Sequence, residues 1–182
     1  MKIIPYNDTY RDAAHDIAIQ TGSKDNLVNK QHHDFTLLMY CDPYLDHGKC
    51  FLLLDDEGNA QGYILSIEDG KEFKEIMKPY FKKIHEVAPD FECRCNLEEY
   101  EKYLDEYPAH LHIDIKENYT GNGNGTALMT TLLDALRKDG VKGIMVGVAK
   151  DNERAFRFYQ KMGFSILESG PYGYTLGQKL KN

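Results

Sequence analysis

Apolar residues recur along the chain with two different periods, one typical of strands and one typical of helices. Three short apolar runs, 1–5, Cys50–Leu54 and Gly62–Ile67, predict strands. The turn-forming residues Asp56–Asn59 separate the last two runs, which predicts an antiparallel hairpin. Thr9–Gln20 carries apolar residues at helical spacing instead, so a helix is predicted after the first strand.

The middle of the chain is charged and helical in pattern. Asp34–Tyr40 fits either a second helix or a buried turn. Asp69–Val87 has the stripe of an amphipathic helix, with an interruption predicted near Pro79 because proline removes a helical hydrogen bond. Leu97–Tyr107 predicts another short helix. Residues 69–108 are therefore expected to form a helical insertion, acting either as a solvated cover of the core or as a lid or partner surface.

The pattern is clearest from Ala109 onward. Apolar residues alternate with polar ones up to Ile115, which predicts a half-buried strand. A glycine-rich turn at Gly121–Gly125 and an amphipathic helix ending near Gly140 follow. The remaining predicted elements are strands at Ile144–Val148, Phe164–Leu167 and Tyr172–Leu180 and a helix at Asn152–Met162. This order predicts an α/β (α+β) fold, with all 182 residues in a single domain.

Composition and charge exclude several classes of function. Of the residues, 42% are hydrophobic and 28% are charged, which is ordinary for a folded globular domain. The net charge of -7 and the absence of a long basic block argue against nucleic acid as a partner. The sequence has neither a membrane-length apolar stretch nor the apolar core of a secretory signal. A cytoplasmic protein that does not bind membranes is expected.

The four cysteines predict neither a disulfide framework nor a metal site. They are few and irregularly spaced for a chain of this length, so reduced thiols are expected. Cys93 and Cys95 form a C-x-C pair, but no second cysteine pair follows and His85 is not at a familiar zinc spacing. No metal is therefore predicted.

The loop Tyr119–Thr126, with the sequence YTGNGNGT, carries the main chemical signal. It lies between a predicted strand and a strong helix, where successive backbone N–H groups and the helix dipole can bind an anion such as a pyrophosphate. Glycine permits close approach and positive φ. The alternative is a flexible turn. No lysine follows Gly125, which excludes a P-loop, and the glycine spacing differs from a dinucleotide-binding fingerprint.

Two motifs in this order resemble the GNAT (Gcn5-related N-acetyltransferase) superfamily. Thr120–Gly125 is similar to the acetyl-CoA loop [QR]-x-x-G-x-[GA], with Thr120 in place of Gln or Arg. The segment NERAFRFYQKMGF, which begins at Asn152, is similar to the helix N-x-x-A-x-x-x-Y-x-x-x-G-F. The strand HLHIDI with this loop also resembles the acetyltransferase-like domain associated with O-GlcNAcase and its bacterial stand-alone relatives. The resemblance covers roughly 109–167 and implies a mixed, mostly antiparallel central sheet with helices on both faces.

The resemblance also implies acetyl-CoA as cofactor and a role for each matched residue. Backbone groups of Ile113 and Ile115 are expected to contact the acyl carbonyl and the pantetheine arm, and Asn152 the arm. Tyr159 matches the tyrosine that donates a proton to the thiolate; the alternative is a core tyrosine between two phenylalanines. The residues expected to hold the pyrophosphate are those of the loop: Thr120, Gly121, Asn122, Gly123, Asn124, Gly125 and Thr126.

His112 and Asp114 are the candidates for the base that accepts the acceptor's proton. They share one face of the strand that leads into the loop, and a histidine titrating near 6.5 can accept a proton at neutral pH. The alternative is a polar strand face that only bonds its neighbours. The sequence thus predicts an N-acyltransferase, a monomer or homodimer acting on a small-molecule or peptide amine. The competing hypothesis is a non-catalytic domain of the same fold that binds acyl-CoA or a protein.

Overall fold

The computed structural model describes residues 1–97 and 101–180, and within them it shows a seven-stranded sheet with helices packed on both faces. The strands are β1 (Lys2–Pro5), β2 (Lys49–Leu54), β3 (Ala60–Ile67), β4 (Ala109–Ile115), β5 (Gly143–Ala149), β6 (Ser165–Ser169) and β7 (Gly173–Lys179). The α-helices are α1 (Arg11–Thr21), α2 (Lys30–Tyr40), α3 (Asp42–His47), α4 (Gly70–Val87), α5 (Asn124–Lys138) and α6 (Glu153–Lys161). The mixed α/β fold is confirmed.

The sheet has the strand order β1-β2-β3-β4-β5-β7-β6. Among the described strands, β4 and β5 are the one parallel pair, and every other neighbouring pair is antiparallel. The parallel pair lies in the middle of the sheet, with α5 as the crossover between its strands. Because α5 follows β4 directly, the glycine-rich loop is placed at the end of β4 where the two strands begin to part.

Two apolar cores lie on opposite faces of the sheet because strand side chains alternate. Leu52 packs under α1–α4, whereas its neighbour Leu53 packs under α5 and α6. Tyr63 and Ile64 divide in the same way. The uninterrupted apolar sequence of β2 is therefore a strand buried on both sides.

Three predictions for the middle region can be compared with the structure. The interruption predicted near Pro79 is wrong, since α4 is one continuous helix with Pro79 inside it. Pro79 is exposed, so the carbonyl that loses its partner can be solvated. Asp34–Tyr40, left open between helix and turn, belongs to α2. Of the short helix predicted at Leu97–Tyr107, residues 98–100 lie outside the described residues and 102–106 form turns.

The predicted hairpin, the first strand and helix, and the closing strands are confirmed within a residue or two at their ends. That 69–108 is an insertion into one domain stays a prediction. The structure shows α4 burying Phe73, Met77 and Ile84 against the core, as expected for an amphipathic cover. Across the two described ranges, no helix combines the length and apolar character that a membrane span requires.

Candidate active site

A cleft opens where β4 and β5 part. Their parallel pairing joins Ala109 to Ile144 and His110 to Met145, and from Leu111 onward β4 keeps its pairing with β3 alone. The cleft encloses about 480 Å³. Its lining comes from β4, the glycine-rich loop, the start of α5, α6 and the end of α1, and comprises Thr21, Ile113, Asp114, Ile115, Thr120, Gly121, Gly123, Gly125, Thr126, Asn152, Arg154, Ala155, Phe158, Tyr159 and Lys161.

The peptide groups of Ile113 and Ile115 face this opening. The N–H of Lys116 donates to the carbonyl of Gln61 at 2.9 Å, on the β3 side. Peptide groups alternate between the two edges of a strand, so the groups of Ile113 and Ile115 point away from β3. Since β5 no longer pairs here, these donors and acceptors are available to an extended ligand that lies beside β4, as a strand would.

The glycine-rich loop presents backbone to the other end of the cleft. Gly121 and Gly123 have φ of 84° and 80°, in the left-handed region that side chains disfavour. Gly123 is the N-cap of α5 and makes no side-chain cap bond. The first N–H groups of the helix are therefore not occupied by a capping side chain and can donate to a bound anion. The Asn124 side chain donates to the carbonyl of Tyr119 at 2.8 Å and holds the loop closed.

The wall opposite β4 is α6, which supplies both contact surface and positive charge. Gly125 lies against α6, since a Cβ built on it would make an ordinary contact of 3.4 Å with the Phe158 ring. Arg154 and Lys161 line the cleft from α6. An acidic protein therefore places two cations in the same cleft as the loop that resembles a phosphate cradle.

Tyr159 is 5% exposed and serves both the cleft and the core. Its ring packs edge-on against Phe164, with 5.4 Å between the centroids. The two interpretations of this tyrosine, core residue and proton donor, are therefore compatible in position. Asn152 also has a structural part, because its side-chain oxygen accepts the Ala155 N–H at 3.1 Å and caps α6.

Asp114 lies in the cleft on the face of β4 that Ile113 and Ile115 do not use. The Tyr63 hydroxyl donates to its Oδ2 at 2.8 Å. Burial raises the pKa of Asp114 because the charged form loses its hydration, and hydrogen bonds from Tyr63 and Thr21 partly oppose that rise. A carboxyl with a raised pKa is a stronger proton acceptor once it is ionised.

His112 shares that face of β4, as predicted, but it lies outside the cleft lining. Its Nε2 is 3.1 Å from the Tyr44 hydroxyl oxygen. Burial lowers the pKa of His112 to about 4, since the cation would lose its hydration. The expectation that His112 titrates near 6.5 is therefore wrong, and the imidazole is uncharged at neutral pH.

The structure thus brings most of the predicted residues to one cleft. Of the predicted set, Asn122, Asn124 and His112 are not part of its lining. Sequence reasoning missed Tyr63, the partner of Asp114, and Arg154, whose position five residues before Tyr159 puts it on the same helix. Within the described ranges, no group of three or more His, Cys, Asp or Glu side chains is arranged to hold a metal ion.

Solved structures share the whole architecture. SsHAT is 25% identical, with a TM-score of 0.84 over 100% of this chain and 98% of its own. The histone acetyltransferase HPA2 and related acetyltransferase from Corynebacterium glutamicum is 14% identical, with a TM-score of 0.69 over 100% and 97%. The ribosomal-protein-S18-alanine N-acetyltransferase from Escherichia coli is 15% identical, with a TM-score of 0.57 over 100% and 94%. At identities this low, the last two structures show a shared fold and no more.

The sequence likeness to a family extends across the site. Residues 17–164 match the acetyltransferase (GNAT) family, a range that includes the last turn of α1 and the whole of β4, the glycine-rich loop and α6. This is well over half of the chain, and it covers every residue predicted for catalysis or cofactor binding. The chain therefore belongs to the acetyltransferase (GNAT) family, a family of acyl transferases.

Proposed function

We propose that this protein is an acetyl-CoA-dependent N-acyltransferase that moves an acetyl group to a primary amine by direct attack. The observation that carries the proposal is the composition of the cleft between β4 and α6. It combines outward-facing peptide groups on β4, a glycine cradle at the start of α5, the hydroxyl-bearing Tyr159 and the half-buried carboxyl Asp114.

The residues present fit coenzyme A. The loop Thr120–Thr126 offers backbone N–H groups and the positive end of α5 to the pyrophosphate. Thr120, in place of the family's Gln or Arg, removes one side-chain donor and leaves the backbone cradle intact. Arg154 and Lys161 supply cationic charge to the same cleft. Ile113 and Ile115 offer strand-like hydrogen bonds to the amide-containing pantetheine arm.

When bound, acetyl-CoA supplies a thioester whose carbonyl carbon is open to attack. The reaction forms one C–N bond and breaks one C–S bond, so one proton must leave the amine and one must reach the sulfur. Tyr159 is the proposed donor to sulfur, because a phenol with an ordinary pKa near 10 carries its proton at neutral pH and can give it to the sulfur as the C–S bond breaks. Asp114 is the proposed acceptor of the amine proton.

The geometry favours Asp114 over His112 as the base. Asp114 lines the cleft, and its raised pKa brings it closer to neutral pH. His112 lies two residues earlier, and its pKa of about 4 makes it a weak base. We propose that His112 acts on the acceptor side as an uncharged polar group.

Two measurements test the proposal in order. Titration calorimetry with acetyl-CoA should show binding, and mass spectrometry of a panel of amines, peptides and amino sugars should show products heavier by one acetyl group. No binding at millimolar acetyl-CoA would refute the cofactor assignment. Binding without transfer to any acceptor would favour the competing function, a non-catalytic acyl-CoA-binding or protein-interaction domain.

The proposal also covers the acceptor, the compartment and the oligomeric state. A net charge of -7 disfavours nucleic acid, so the acceptor is proposed to be a small-molecule or peptide amine. The protein is proposed to act in the cytoplasm as a monomer or homodimer. Light scattering of the purified protein distinguishes these two oligomeric states.

A further inference from the structure

A second cavity is lined by His112, two residues before the cleft residue Asp114 on β4. It encloses about 220 Å³ between α2, α3, α4, the segment after α4 and β4. Its lining consists of Met39, Tyr40, Tyr44, Phe73, Arg94, Asn96, Leu97 and His112. Half of these residues carry aromatic or imidazole rings, so the cavity has flat ring walls with polar groups between them.

The rings are arranged edge to face around the cavity. Tyr44 and Phe73 have their centroids 5.2 Å apart. The His112 ring lies 4.9 Å from Tyr44 and 5.4 Å from Tyr40, at steep interplanar angles. Tyr44 and Phe73 are each 3% exposed and are fixed in the core, whereas Tyr40 is 39% exposed and stands at the mouth. Rings in this arrangement offer both faces and edges to a further aromatic ring.

The charge at the mouth is positive. Arg94 is exposed, and its guanidinium lies 5.3 Å from the centroid of the Phe91 ring. Among the described residues that line the cavity, none is a carboxylate. His112 is uncharged at neutral pH because burial lowers its pKa to about 4. A cationic group entering here would meet Arg94, and no described residue of the lining carries a negative charge to offset it, so attraction would have to come from the ring faces.

The cavity is close enough to the cleft to hold one part of an acceptor while another part reacts. His112 in the cavity and Asp114 in the cleft lie two residues apart on one face of β4, a separation of about 6.6 Å along an extended strand. Two methylene groups between a ring and an amine nitrogen give three bonds of roughly 1.5 Å, at most about 4.5 Å. A hydrogen bond of about 2.8 Å from that nitrogen to a carboxylate covers the remaining distance. An amine at the end of such a linker would reach the proposed base.

We propose that this cavity binds the aromatic group of the acyl acceptor, so that the acceptor is a primary amine joined by a short linker to an uncharged ring. The inference rests on the proposed function for the identity of the reaction. The binding of the ring depends only on the second cavity. Arg94 at the mouth is proposed to disfavour polyamines, although the net charge of -7 attracts cations to the protein as a whole.

The first test measures binding without turnover. Titration calorimetry of 2-phenylethylamine into protein saturated with coenzyme A should show binding at least tenfold tighter than that of putrescine. If coenzyme A itself does not bind, the proposed function fails, and the same titration on the free protein still tests the cavity. Equal or weaker binding of 2-phenylethylamine, compared with putrescine, overturns the aromatic assignment.

The second test uses paired substitutions. Tyr40→Ala should weaken 2-phenylethylamine binding about tenfold, as expected for losing one well-placed ring contact and its buried area. Tyr172→Ala is the matched control, because Tyr172 is 88% exposed in the turn before β7 and lines neither the cleft nor this cavity. If the two variants bind 2-phenylethylamine equally well, the ring is bound elsewhere and the inference is wrong.

Charge reversal at the mouth gives an independent readout. Arg94→Glu should raise the affinity for putrescine relative to 2-phenylethylamine, because an anion then stands beside the aromatic walls. Lys83→Glu makes the same change of charge on the exposed face of α4 and controls for the net charge of the protein. An equal shift in both variants would assign the effect to net charge and overturn the part proposed for Arg94. In each variant, unchanged acetyl-CoA binding shows that the fold and the cofactor cleft are intact.

Discussion

The two cavities beside β4 are lined by different parts of the polypeptide. On the cofactor side, the cleft presents peptide groups of Ile113 and Ile115 and a loop that depends on glycine backbone. On the acceptor side, the second cavity presents side-chain rings and the polar pair His112–Tyr44. Backbone recognition restricts sequence to glycines at fixed positions, whereas a wall of rings can be assembled from helices far apart in the chain. The first kind of site leaves a motif, and the second does not.

Burial shifts the pKa values of two ionisable residues of β4, one in each cavity. It lowers the pKa of His112 to about 4 and raises the pKa of Asp114, because in each case the charged form loses hydration. Two residues with opposite charges are thus both driven toward their uncharged forms. Only Asp114 reaches the cofactor cleft, so the two sides differ in whether the titratable group can take part in proton transfer.

The largest expected effect tests whether Tyr159 in the cleft takes part in proton transfer. Tyr159→Phe removes the proposed proton donor and keeps the ring that packs against Phe164, so turnover should fall about 100-fold while acetyl-CoA affinity stays the same. Steady-state kinetics with a reactive acceptor and calorimetry measure the two quantities. Tyr172→Phe is the control, since its hydroxyl is exposed far from both cavities' linings. Equal rates in the two variants would make Tyr159 a packing residue.

The next effect tests the backbone cradle. Gly123→Val should weaken acetyl-CoA binding by at least about tenfold, because a β-branched residue resists φ of 80° and displaces the N–H groups at the start of α5. The control is Gly58→Val in the hairpin turn, where φ is 88° and a Cβ likewise meets no atom within 4 Å. Both variants should lose similar stability in denaturant unfolding, and only the first should lose binding. Equal affinity in both would show that the loop does not hold the cofactor.

A third prediction concerns the pH dependence of the reaction on the acceptor face. If Asp114 is the base, kcat/KM should rise with pH through its raised pKa, and Asp114→Asn should abolish that rise. Tyr63→Phe removes a hydrogen bond that stabilises the carboxylate, so the rise should move to higher pH by about one unit. A profile that moves to lower pH, or that survives Asp114→Asn, would exclude Asp114 as the base. His112→Gln should leave the profile in place.

The smallest expected effect distinguishes two roles of Asn152, capping α6 and contacting the cofactor. Asn152→Ala removes the cap bond to the Ala155 N–H and should lower the free energy of unfolding by about 1 kcal/mol. Asn152→Asp keeps the capping oxygen and removes the amide donor, so stability should be retained while acetyl-CoA binds more weakly. Denaturant unfolding and calorimetry on the same samples provide the comparison. Full affinity in Asn152→Asp would show that this residue only caps the helix.

The sequence alone determined the elements that depend on local rules. The period of apolar residues predicted β4, α5 and α6, and left-handed glycines marked the ends of both helices at Gly140 and Gly163. The glycine-rich loop between a strand and a helix predicted an anion site for the same local reason. Pro79 misled that reasoning, since a proline penalty depends on whether the freed carbonyl faces solvent, which only the packing of α4 decides.

Only the tertiary structure decided which groups meet across the sheet. Tyr63 and Asp114 are 51 residues apart in sequence, and Tyr44 and His112 are 68 apart, yet strand register and helix packing bring each pair into hydrogen-bond contact. The shift of the His112 pKa likewise depends on burial beneath α2 and α3, a property of the folded chain that no local pattern encodes. Local backbone rules thus specify the glycine-rich loop, whereas the second cavity arises from long-range contacts that form only when the sheet and its helices pack together.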